Sequence, residues 1–308
     1  MLLGLGSFEA HYMDYQANFF KQCGQSRFSM LADNVKQPFN EYLGLLLNFG
    51  IIGLLVLLLL MVIIIYCYRK NPSVEKQIAF YSLSSIGIFS FFSYPFAYPF
   101  VWVVTFLSIF IITSEYIKPL FSNILIKKIA CMFILTYSLF GSSKLFERIQ
   151  AELDWGKAST LALCKSYNET LPTYERLEKM FVSNPYFLYN YAAVLQEMKQ
   201  YTESLEVALK CRQYWADYDL ELIIGENYQQ LNKPEKYYNS ASMMCPSRFL
   251  PLYKLFHLYK TNGEKERSLA MAEAVISKPM KIKTTTIRMM KREMEREIQK
   301  MNMSIKLE

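Results

Sequence analysis

The sequence predicts an all-α protein in which about four membrane helices are followed by a soluble α-solenoid of paired helices. The apolar residues of the 308-residue chain are concentrated between positions 43 and 146. The run from Leu43 to Tyr66 is long enough to cross a bilayer, for which about 20 residues suffice. After position 147, Leu195, Tyr228 and Tyr259 follow one another at spacings of 33 and 31 residues, as expected for stacked helix pairs.

Composition and charge argue against several classes of protein. The formal net charge is +7, but Lys and Arg are interspersed with Asp and Glu after position 147, so no continuous basic face for nucleic acid is expected. The six cysteines form neither a Cys-x-x-Cys nor a mixed Cys and His pattern. This predicts buried thiols rather than a metal site or a disulfide framework. We therefore expect no nucleic-acid partner, no metal and no cofactor.

Residues 1–40 are predicted to be part of a polar loop in front of the first membrane helix. They do not form a signal peptide, because the apolar start has no basic residues and ends at Gly6, short of the roughly 7–15 apolar residues required. From His11 to Phe20 the aromatic residues are spaced by three and four. This spacing predicts one or two helical turns against an apolar surface, either a membrane or neighbouring helices.

The membrane part is predicted to cover residues 41–146, with spans at about 43–66, 78–93, 98–114 and 129–146. The apolar stretch from Ile78 to Ile112 is too long for one crossing of a hydrocarbon core about 30 Å thick. Pro95 and Pro99 break helical hydrogen bonds in its middle, which predicts a hairpin, with a re-entrant loop as the alternative.

Within the first span, Gly50 and Gly53 lie three residues apart on one helix face. Small residues on one face of a membrane helix predict close packing against a neighbouring helix.

Basic residues near the ends of the spans predict their orientation. The two basic groups are Arg69, Lys70 and Lys76, and Lys118, Lys127 and Lys128. An even number of crossings between the groups puts both on one side, which the positive-inside rule assigns to the cytoplasm. We then expect residues 1–40 and the chain after about Glu147 to face the same outer compartment.

The soluble part is predicted to consist of residues 147–285. Prolines end its helix pairs at Pro246 and Pro279, and the pattern resembles the tetratricopeptide repeat, whose unit is about 34 residues. A weaker pair is expected from Leu153 to Ser183, interrupted at Pro172. In residues 286–308, apolar residues recur at intervals of three and four among charged ones, which predicts an amphipathic helix that caps the stack.

Several motifs follow one another along the chain. They are GLGSF at Gly4–Phe8, LADNVKQPFNEYL at Leu31–Leu43, GIIGLL at Gly50–Leu55 and then the proline-broken hairpin. In this order they resemble the C-terminal half of the O-antigen ligase and polymerase family. PSRFLPLYKLFHLY at Pro246–Tyr259 and KPMKIKT at Lys278–Thr284 resemble the tetratricopeptide extension of family members of the Bacteroidetes type.

The resemblance implies a multi-pass glycosyltransferase of the bacterial inner membrane, with the N-terminal loop and the repeat domain in the periplasm. Such proteins transfer a glycan from undecaprenyl diphosphate to a lipid, polysaccharide or protein acceptor. The resemblance leaves ligase, polymerase and protein oligosaccharyltransferase activities open. It further implies a periplasmic histidine as base and arginines that hold the diphosphate, without a metal.

Two departures from the family pattern affect the predicted activity. Phe39 precedes Asn40 where many ligases have His, and a Phe side chain cannot accept a proton. The chain also begins inside the periplasmic loop, so we expect a truncated protein that lacks the earlier membrane helices and the donor cavity they form.

Four residues are candidates for the site. Glu41 and His11 are candidate catalytic bases; Glu41 alternatively stabilises the N-terminal end of the first membrane helix through its dipole, and His11 alternatively has a structural role. Arg27 and Asn40 are candidate substrate-binding residues. The alternatives are an ordinary exposed arginine and a helix cap.

Three functional hypotheses follow from the sequence. The first is a glycosyltransferase that is active when the missing helices are supplied, and the second is a membrane-anchored repeat scaffold of a surface-polysaccharide assembly system without catalytic activity. The third is an inactive remnant. The predicted partners are an undecaprenyl-diphosphate-linked glycan, membrane lipid and a protein bound to the repeat domain.

Overall fold

The prediction of an all-α fold is confirmed by the computed structural model. It describes residues 8–24, 26–120, 124–231 and 234–305, and these residues contain helices, turns and connecting segments but no strand. Gly4–Ser7 of the first family motif, the side chains of Lys118 and Lys127 and residues 306–308 of the predicted C-terminal helix lie outside the described part. The α-helices are α1 Phe8–Cys23, α2 Glu41–Lys70, α3 Val74–Phe89, α4 Pro99–Leu120, α5 Ile124–Leu163, α6 Tyr167–Leu177, α7 Pro185–Glu197, α8 Tyr201–Arg212, α9 Tyr218–Leu231, α10 Glu235–Met244, α11 Leu250–Thr261, α12 Lys265–Ser277 and α13 Thr285–Ile305.

The chain divides into two compact units. The described residues of unit 1 are Phe8, 36–120 and 124–153, and unit 2 consists of Glu9–Val35 and the chain from Asp154 onward. The long helix α5 runs through position 147 without a break and reaches Leu163. The segment that precedes the first apolar helix is thus part of the unit that contains the C-terminal helices.

Two helices of the described part are long and apolar enough to span a membrane. They are α2, with a mean hydropathy of 3.1, and the part of α4 from Pro99 to Tyr116, with a mean hydropathy of 1.6. Helix α3 has 16 residues. The two helices are consistent with a membrane protein.

In unit 1, helices α2, α3 and α4 run antiparallel in turn between the same two ends. At one end, the Asn40 side-chain amide donates to Phe91 O at 2.9 Å and Tyr42 Oη donates to Gly87 O at 2.7 Å. At the other end, the Tyr68 and Phe80 rings stack at 4.5 Å.

At the end of unit 1 that contains Tyr68, polar side chains contact Glu115 of α4. Asn71 Nδ2 donates to Glu115 Oε2 at 2.6 Å, and Lys76 Nζ lies 3.2 Å from the same oxygen. Both partners follow α2 directly in the chain, one in the turn and one in the first turn of α3. The contacts therefore join the end of α2, the start of α3 and the end of α4.

At Gly50 the structure shows a feature that the sequence analysis did not predict. This residue interrupts the helical geometry of α2, with φ 66° and ψ −163°. Such a conformation is open almost only to glycine, because a Cβ atom would clash with the backbone. Gly50 is thus needed for a kink in α2. At Gly53, an added Cβ would lie 2.6 Å from Phe49 Cβ of the same helix.

In unit 2, each helix from α6 to α13 packs against the next one in the sequence. Buried polar groups join α7, α8 and α9: Ser204 Oγ donates to Ala192 O at 2.7 Å, and Asn227 Nδ2 donates to Ser204 Oγ at 2.7 Å. Gly225 lets α9 approach α10, since an added Cβ would lie 2.6 Å from Cε1 of the buried Tyr238 ring.

The helix break predicted at Pro172 is wrong. Pro172 lies inside α6, and the preceding break falls between Leu163 and Tyr167, where Lys165 has a φ of 63°. As the sixth residue of α6, Pro172 lacks the N–H that would donate to Asn168 O, yet the helix continues past it to Leu177.

Candidate functional site

The start of α2 contains two of the four predicted site residues, and its hydrogen bonds hold both in structural roles. Asn40 is the N-cap of α2, since its Oδ1 accepts from Leu43 N at 2.9 Å. Such a cap satisfies one of the backbone donors that a helix leaves unpaired at its start. Its amide donates to Phe91 O, as described above, so both polar atoms of the Asn40 side chain have partners.

Glu41 connects the start of α2 to the tip of the α3–α4 hairpin. Its Oε1 accepts from Phe96 N at 3.0 Å, and its backbone N–H donates to Ser90 O at 2.9 Å. The carboxylate therefore lies in the first turn of α2, where it is favoured by the helix dipole, and one oxygen is used by the fold. If Glu41 acts instead as a base toward an acceptor hydroxyl, its second carboxylate oxygen, Oε2, must reach the substrate.

Phe39 occupies the position at which the resemblance implied a base. Its side chain is 69% exposed, and its ring lies 5.5 Å from the Tyr94 ring at the hairpin tip in an edge-to-face arrangement. An exposed aromatic side chain offers an apolar contact at this place and no proton transfer.

His11 and Arg27 belong to unit 2, whereas Asn40 and Glu41 belong to unit 1. His11 lies on the exposed side of α1. The Arg27 guanidinium lies 4.8 Å from the centre of the Phe28 ring, and the arginine is exposed. Within unit 2, the two residues are in separate elements, α1 and the turn that follows it.

The segment Glu9–Val35 is bound to the connections that follow α8, α10 and α12, and these contacts were not predicted from the sequence. Ala216 N donates to Glu9 O at 2.9 Å, and Asn34 Nδ2 donates to Asp217 Oδ2 at 2.7 Å. Gln16 Nε2 donates to Met244 O at 2.6 Å. No local pattern could reveal these contacts, because the partners are more than 180 residues apart in the sequence.

Two groups of charges reinforce this docking. Arg212 Nη2 lies 2.5 Å from Asp14 Oδ1, and its Nε lies 2.6 Å from Oε1 of the buried Glu221. Asp33 binds both Arg248 at 2.9 Å and Lys281 at 3.3 Å. Each group pairs one acid of the N-terminal segment with basic side chains from the chain after Asp154: Arg212 at the end of α8 in the first group, and Arg248 and Lys281 in connections between helices in the second. The segment is therefore held by ion pairs as well as by packing.

These surroundings change the pKa values of the charged groups. Burial alone would raise the pKa of Asp33, but hydrogen bonds from Arg248 and from the Asn34 amide hold it below the usual range. Burial raises the pKa of Glu221, and the nearby Arg212 opposes this rise. Burial also raises the pKa of the Cys211 and Cys245 thiols to about 12, so both stay protonated and unreactive at neutral pH.

Among the described residues, no group of three or more His, Cys, Asp or Glu side chains is arranged to hold a metal ion. Neither a scan against protein-family models nor a search of curated proteins returns a match to this chain. The class of protein defined by the fold is therefore an all-α chain of two units, one of which carries two helices able to span a membrane.

Proposed function

We propose that this chain is a four-span membrane protein with a tetratricopeptide-like solenoid on the outer side. The supporting observation is that Glu9–Val35 and the chain from Asp154 onward form one compact unit. A water-exposed unit with ionic contacts between its two parts cannot be divided by a bilayer, so the number of crossings between them must be even.

The contacts within unit 1 support four crossings rather than two. Helices α2, α3 and α4 share their two ends, as the bonds at Asn40 and Glu115 indicate. If α2 crosses the membrane, α3 and α4 cross it as well, and α5 supplies the fourth crossing. With 40 residues, α5 extends over about 60 Å, enough to cross the hydrocarbon core and project beyond it.

The solenoid assignment rests on the packing within unit 2. Each helix from α6 to α13 contacts its successor, and the close approach at Gly225 lies between the two helices of one pair. Such nearest-neighbour packing is typical of helical repeat proteins. The amphipathic helix α13 buries Met294 against Phe256, Ala272 and Val275 and thus covers the last pair.

We further propose that the chain is the C-terminal part of an O-antigen ligase or polymerase-like glycosyltransferase of the bacterial inner membrane. The proposed donor is a glycan linked to undecaprenyl diphosphate, and the acceptor is a lipid, a polysaccharide or a protein. The order of motifs carries this proposal, and the shared side of the N-terminal segment and the repeats agrees with the family arrangement.

One observation favours a second candidate, a membrane-anchored repeat scaffold of a surface-polysaccharide assembly system without catalytic activity. Both polar atoms of Asn40 and one carboxylate oxygen of Glu41 form hydrogen bonds within the fold, and Phe39 supplies no base. The scaffold needs only the anchor and the surface of the repeats.

Surface glycans of a strain that depends on this chain separate the two candidates. If the enzyme proposal is right, Glu41→Gln and Arg27→Ala each reduce glycan transfer while the amount of protein in the membrane stays normal. Arg176→Ala, at an exposed arginine paired with Asp154 in unit 2, is the matched control and leaves transfer unchanged. Unchanged glycans in both test variants would remove the site assignment.

The scaffold candidate predicts a different pattern. Glycans are unaffected by Glu41→Gln and Arg27→Ala but decrease with Gly225→Ala, because the added Cβ displaces Tyr238 and disturbs the packing of α9 on α10. Gly156→Ala serves as the control, since a Cβ at this α5 position meets no atom within 4 Å.

A further inference from the structure

Helix α13 carries a row of exposed residues in addition to the apolar residues that it packs against unit 2. The row consists of Met289, Arg292, Arg296, Gln299 and Met303, at successive spacings of three, four, three and four residues. All five residues are exposed, and the methionines at its two ends are 64% and 62% exposed. Residues at these intervals lie along one line of a helix, and we call this line the exposed stripe.

The opposite side of α13 is used for packing within unit 2. Met294 is fully buried in the apolar cluster that contains Phe256 of α11 and Val275 of α12. Because Met294 is two residues away from both Arg292 and Arg296, it lies about 200° around the helix from each of them. The packing of Met294 therefore directs the exposed stripe toward solvent.

The acids on the flank of α13 that faces α11 are bound within the fold. Glu293 accepts from Tyr253 Oη at 2.8 Å, and Glu297 forms an ion pair with Lys260. Glu297 also lies 2.9 Å from Lys300 Nζ. These carboxylates thus have partners on their own side of the helix.

The arginines on the exposed side of α13 lack such partners. Within the described part of the chain, no carboxylate contacts Arg288, Arg292 or Arg296. Glu295, the exposed acid on this side, lies about 100° around the helix from Arg296 and thus at the edge of the stripe. Three arginines against one glutamate make the surface cationic, and guanidinium groups are suited to binding carboxylates.

The combination of residues in the exposed stripe distinguishes between possible partners. An anionic polysaccharide can pair with the arginines but offers little apolar surface to Met289 and Met303. A second copy of the stripe would bring Arg292 and Arg296 against the same two residues of the other chain, which is repulsive. A helix with acidic residues between two apolar positions satisfies both kinds of side chain, and flexible methionine side chains adapt well to such a partner.

We infer that the exposed stripe is a docking surface for an acidic amphipathic helix of another protein. Met289 and Met303 pack against apolar residues of that helix, and Arg292 and Arg296 bind carboxylates between them. Fourteen residue steps separate the two methionines, so the contact extends over about 21 Å of helix. The inference concerns α13 alone and does not depend on the proposed membrane insertion or glycan transfer.

Site-specific photo-crosslinking of the full chain in living cells tests the inference. The photoreactive amino acid benzoylphenylalanine replaces Met289 in one variant and Met303 in another. Met243 of α10, 37% exposed, is the matched control position. We expect the same protein adduct at Met289 and Met303, several times more abundant than at Met243. The cross-linked peptide, sequenced by mass spectrometry, should be an amphipathic segment with acidic residues between apolar ones.

Charge variants test the role of the arginines. Arg292→Glu with Arg296→Glu should reduce the adduct at Met289 several-fold, because both carboxylate contacts become repulsive. Lys157→Glu with Lys179→Glu, at two exposed lysines of unit 2, is the control and should leave the adduct unchanged. Replacement of the acidic residues of the captured segment by Arg should restore the adduct with the Arg292→Glu, Arg296→Glu chain.

Several outcomes would overturn the inference and leave the membrane and glycan proposals untouched. They are the absence of an adduct above the level at Met243, an adduct with a second copy of this chain, an adduct with lipid or glycan, and a protein adduct that the two Arg→Glu substitutions do not reduce. Arg292→Gln with Arg296→Gln separates docking from folding, since it removes the charges without adding repulsion. This variant should unfold at the wild-type temperature and still show a reduced adduct.

Discussion

Lys278 shows at the level of one residue how a charge is buried in unit 2. Its side chain is 7% exposed, and Nζ donates to Arg248 O at 2.7 Å and lies 5.5 Å from the centre of the Phe249 ring. Burial lowers the pKa of Lys278 to about 8 from an ordinary value of 10.5. The hydrogen bond to a neutral carbonyl satisfies the donor but does not neutralise the charge.

The stability of the protein should therefore depend on pH through Lys278. Between pH 8 and 10.5 the unfolded chain retains the proton that the folded chain has lost, so the free energy of unfolding rises with pH in this window. We expect thermal unfolding of the full chain in detergent to show this rise in the wild type and a smaller one in Lys278→Met. Lys179→Met, at an exposed lysine, should retain the wild-type dependence. An identical rise in Lys278→Met would show that other groups cause it.

Arg212 provides a second test at the residue level. Its replacement by Ala leaves the buried carboxylate of Glu221 without its ion-pair partner, which costs about 3–5 kcal/mol for a buried pair. Arg176→Ala breaks the exposed pair with Asp154 and should cost no more than about 1 kcal/mol. The unfolding temperature, followed by the fluorescence of the nearby buried Trp215, measures the difference.

A double variant checks the cause of the loss at Arg212. Arg212→Ala with Glu221→Gln removes the unpaired charge and should recover part of the stability. Equal unfolding temperatures for Arg212→Ala and Arg176→Ala would contradict the assignment of a buried pair.

The candidate site was partly predictable at this scale. The capping role of Asn40 could be predicted from its position directly before an apolar run, because capping depends on residues that are neighbours in the sequence. The partners of Asp14 and Asp33 could not be predicted in this way, since they lie about 200 residues further along the chain. Their identity depends on how helices stack, which a single sequence does not encode locally.

At the scale of single elements, local signals predicted that helices exist better than where they bend. The apolar residues at intervals of three and four predicted helix α13, and the long apolar run predicted helix α2; both helices are present. The kink at Gly50 was not predicted, and Pro172 was predicted to interrupt a helix that in fact continues through it. Tertiary contacts decide whether a helix bends at such residues.

The kink at Gly50 makes a testable difference between two glycines of unit 1. Gly50→Ala places a Cβ on a backbone with φ 66°, which costs about 1–3 kcal/mol, and should lower the unfolding temperature of the detergent-purified chain. Gly141→Ala, in α5, meets no atom within 4 Å and should be neutral or slightly stabilising, since Ala favours a helix. Equal tolerance of both substitutions would contradict a requirement for the kink.

At the scale of the whole molecule, the contacts inside unit 2 constrain the membrane topology more strongly than hydropathy does. Hydropathy selects α2 and part of α4, and it leaves open whether the hairpin at Pro95 crosses the bilayer. The shared unit of the N-terminal and C-terminal segments underlies our proposal of an even number of crossings, and the joined ends of α2, α3 and α4 underlie the choice of four rather than two. The basic residues that flank the spans also favour an even number of crossings between the two basic groups.

Labelling of single cysteines with an impermeant maleimide in spheroplasts tests this topology. Cys23, in the segment Glu9–Val35, and Cys164, in the chain from Asp154 onward, are native exposed thiols of unit 2, and each should be labelled from outside. Pro72→Cys, in the exposed turn between α2 and α3, should react only after the membrane is permeabilised.

Tyr98→Cys at the hairpin tip distinguishes four crossings from two, because this position is 59% exposed and lies on the outer side only if α3 crosses the bilayer. Labelling of Tyr98→Cys from outside therefore supports four crossings, and labelling only after permeabilisation supports two, with α3 on the inner side. Both results keep Cys23 and Cys164 on the same side, as their common unit requires. Reaction of Cys23 and Cys164 from opposite sides would contradict any even number of crossings between them, and with it the membrane arrangement on which the glycosyltransferase proposal depends.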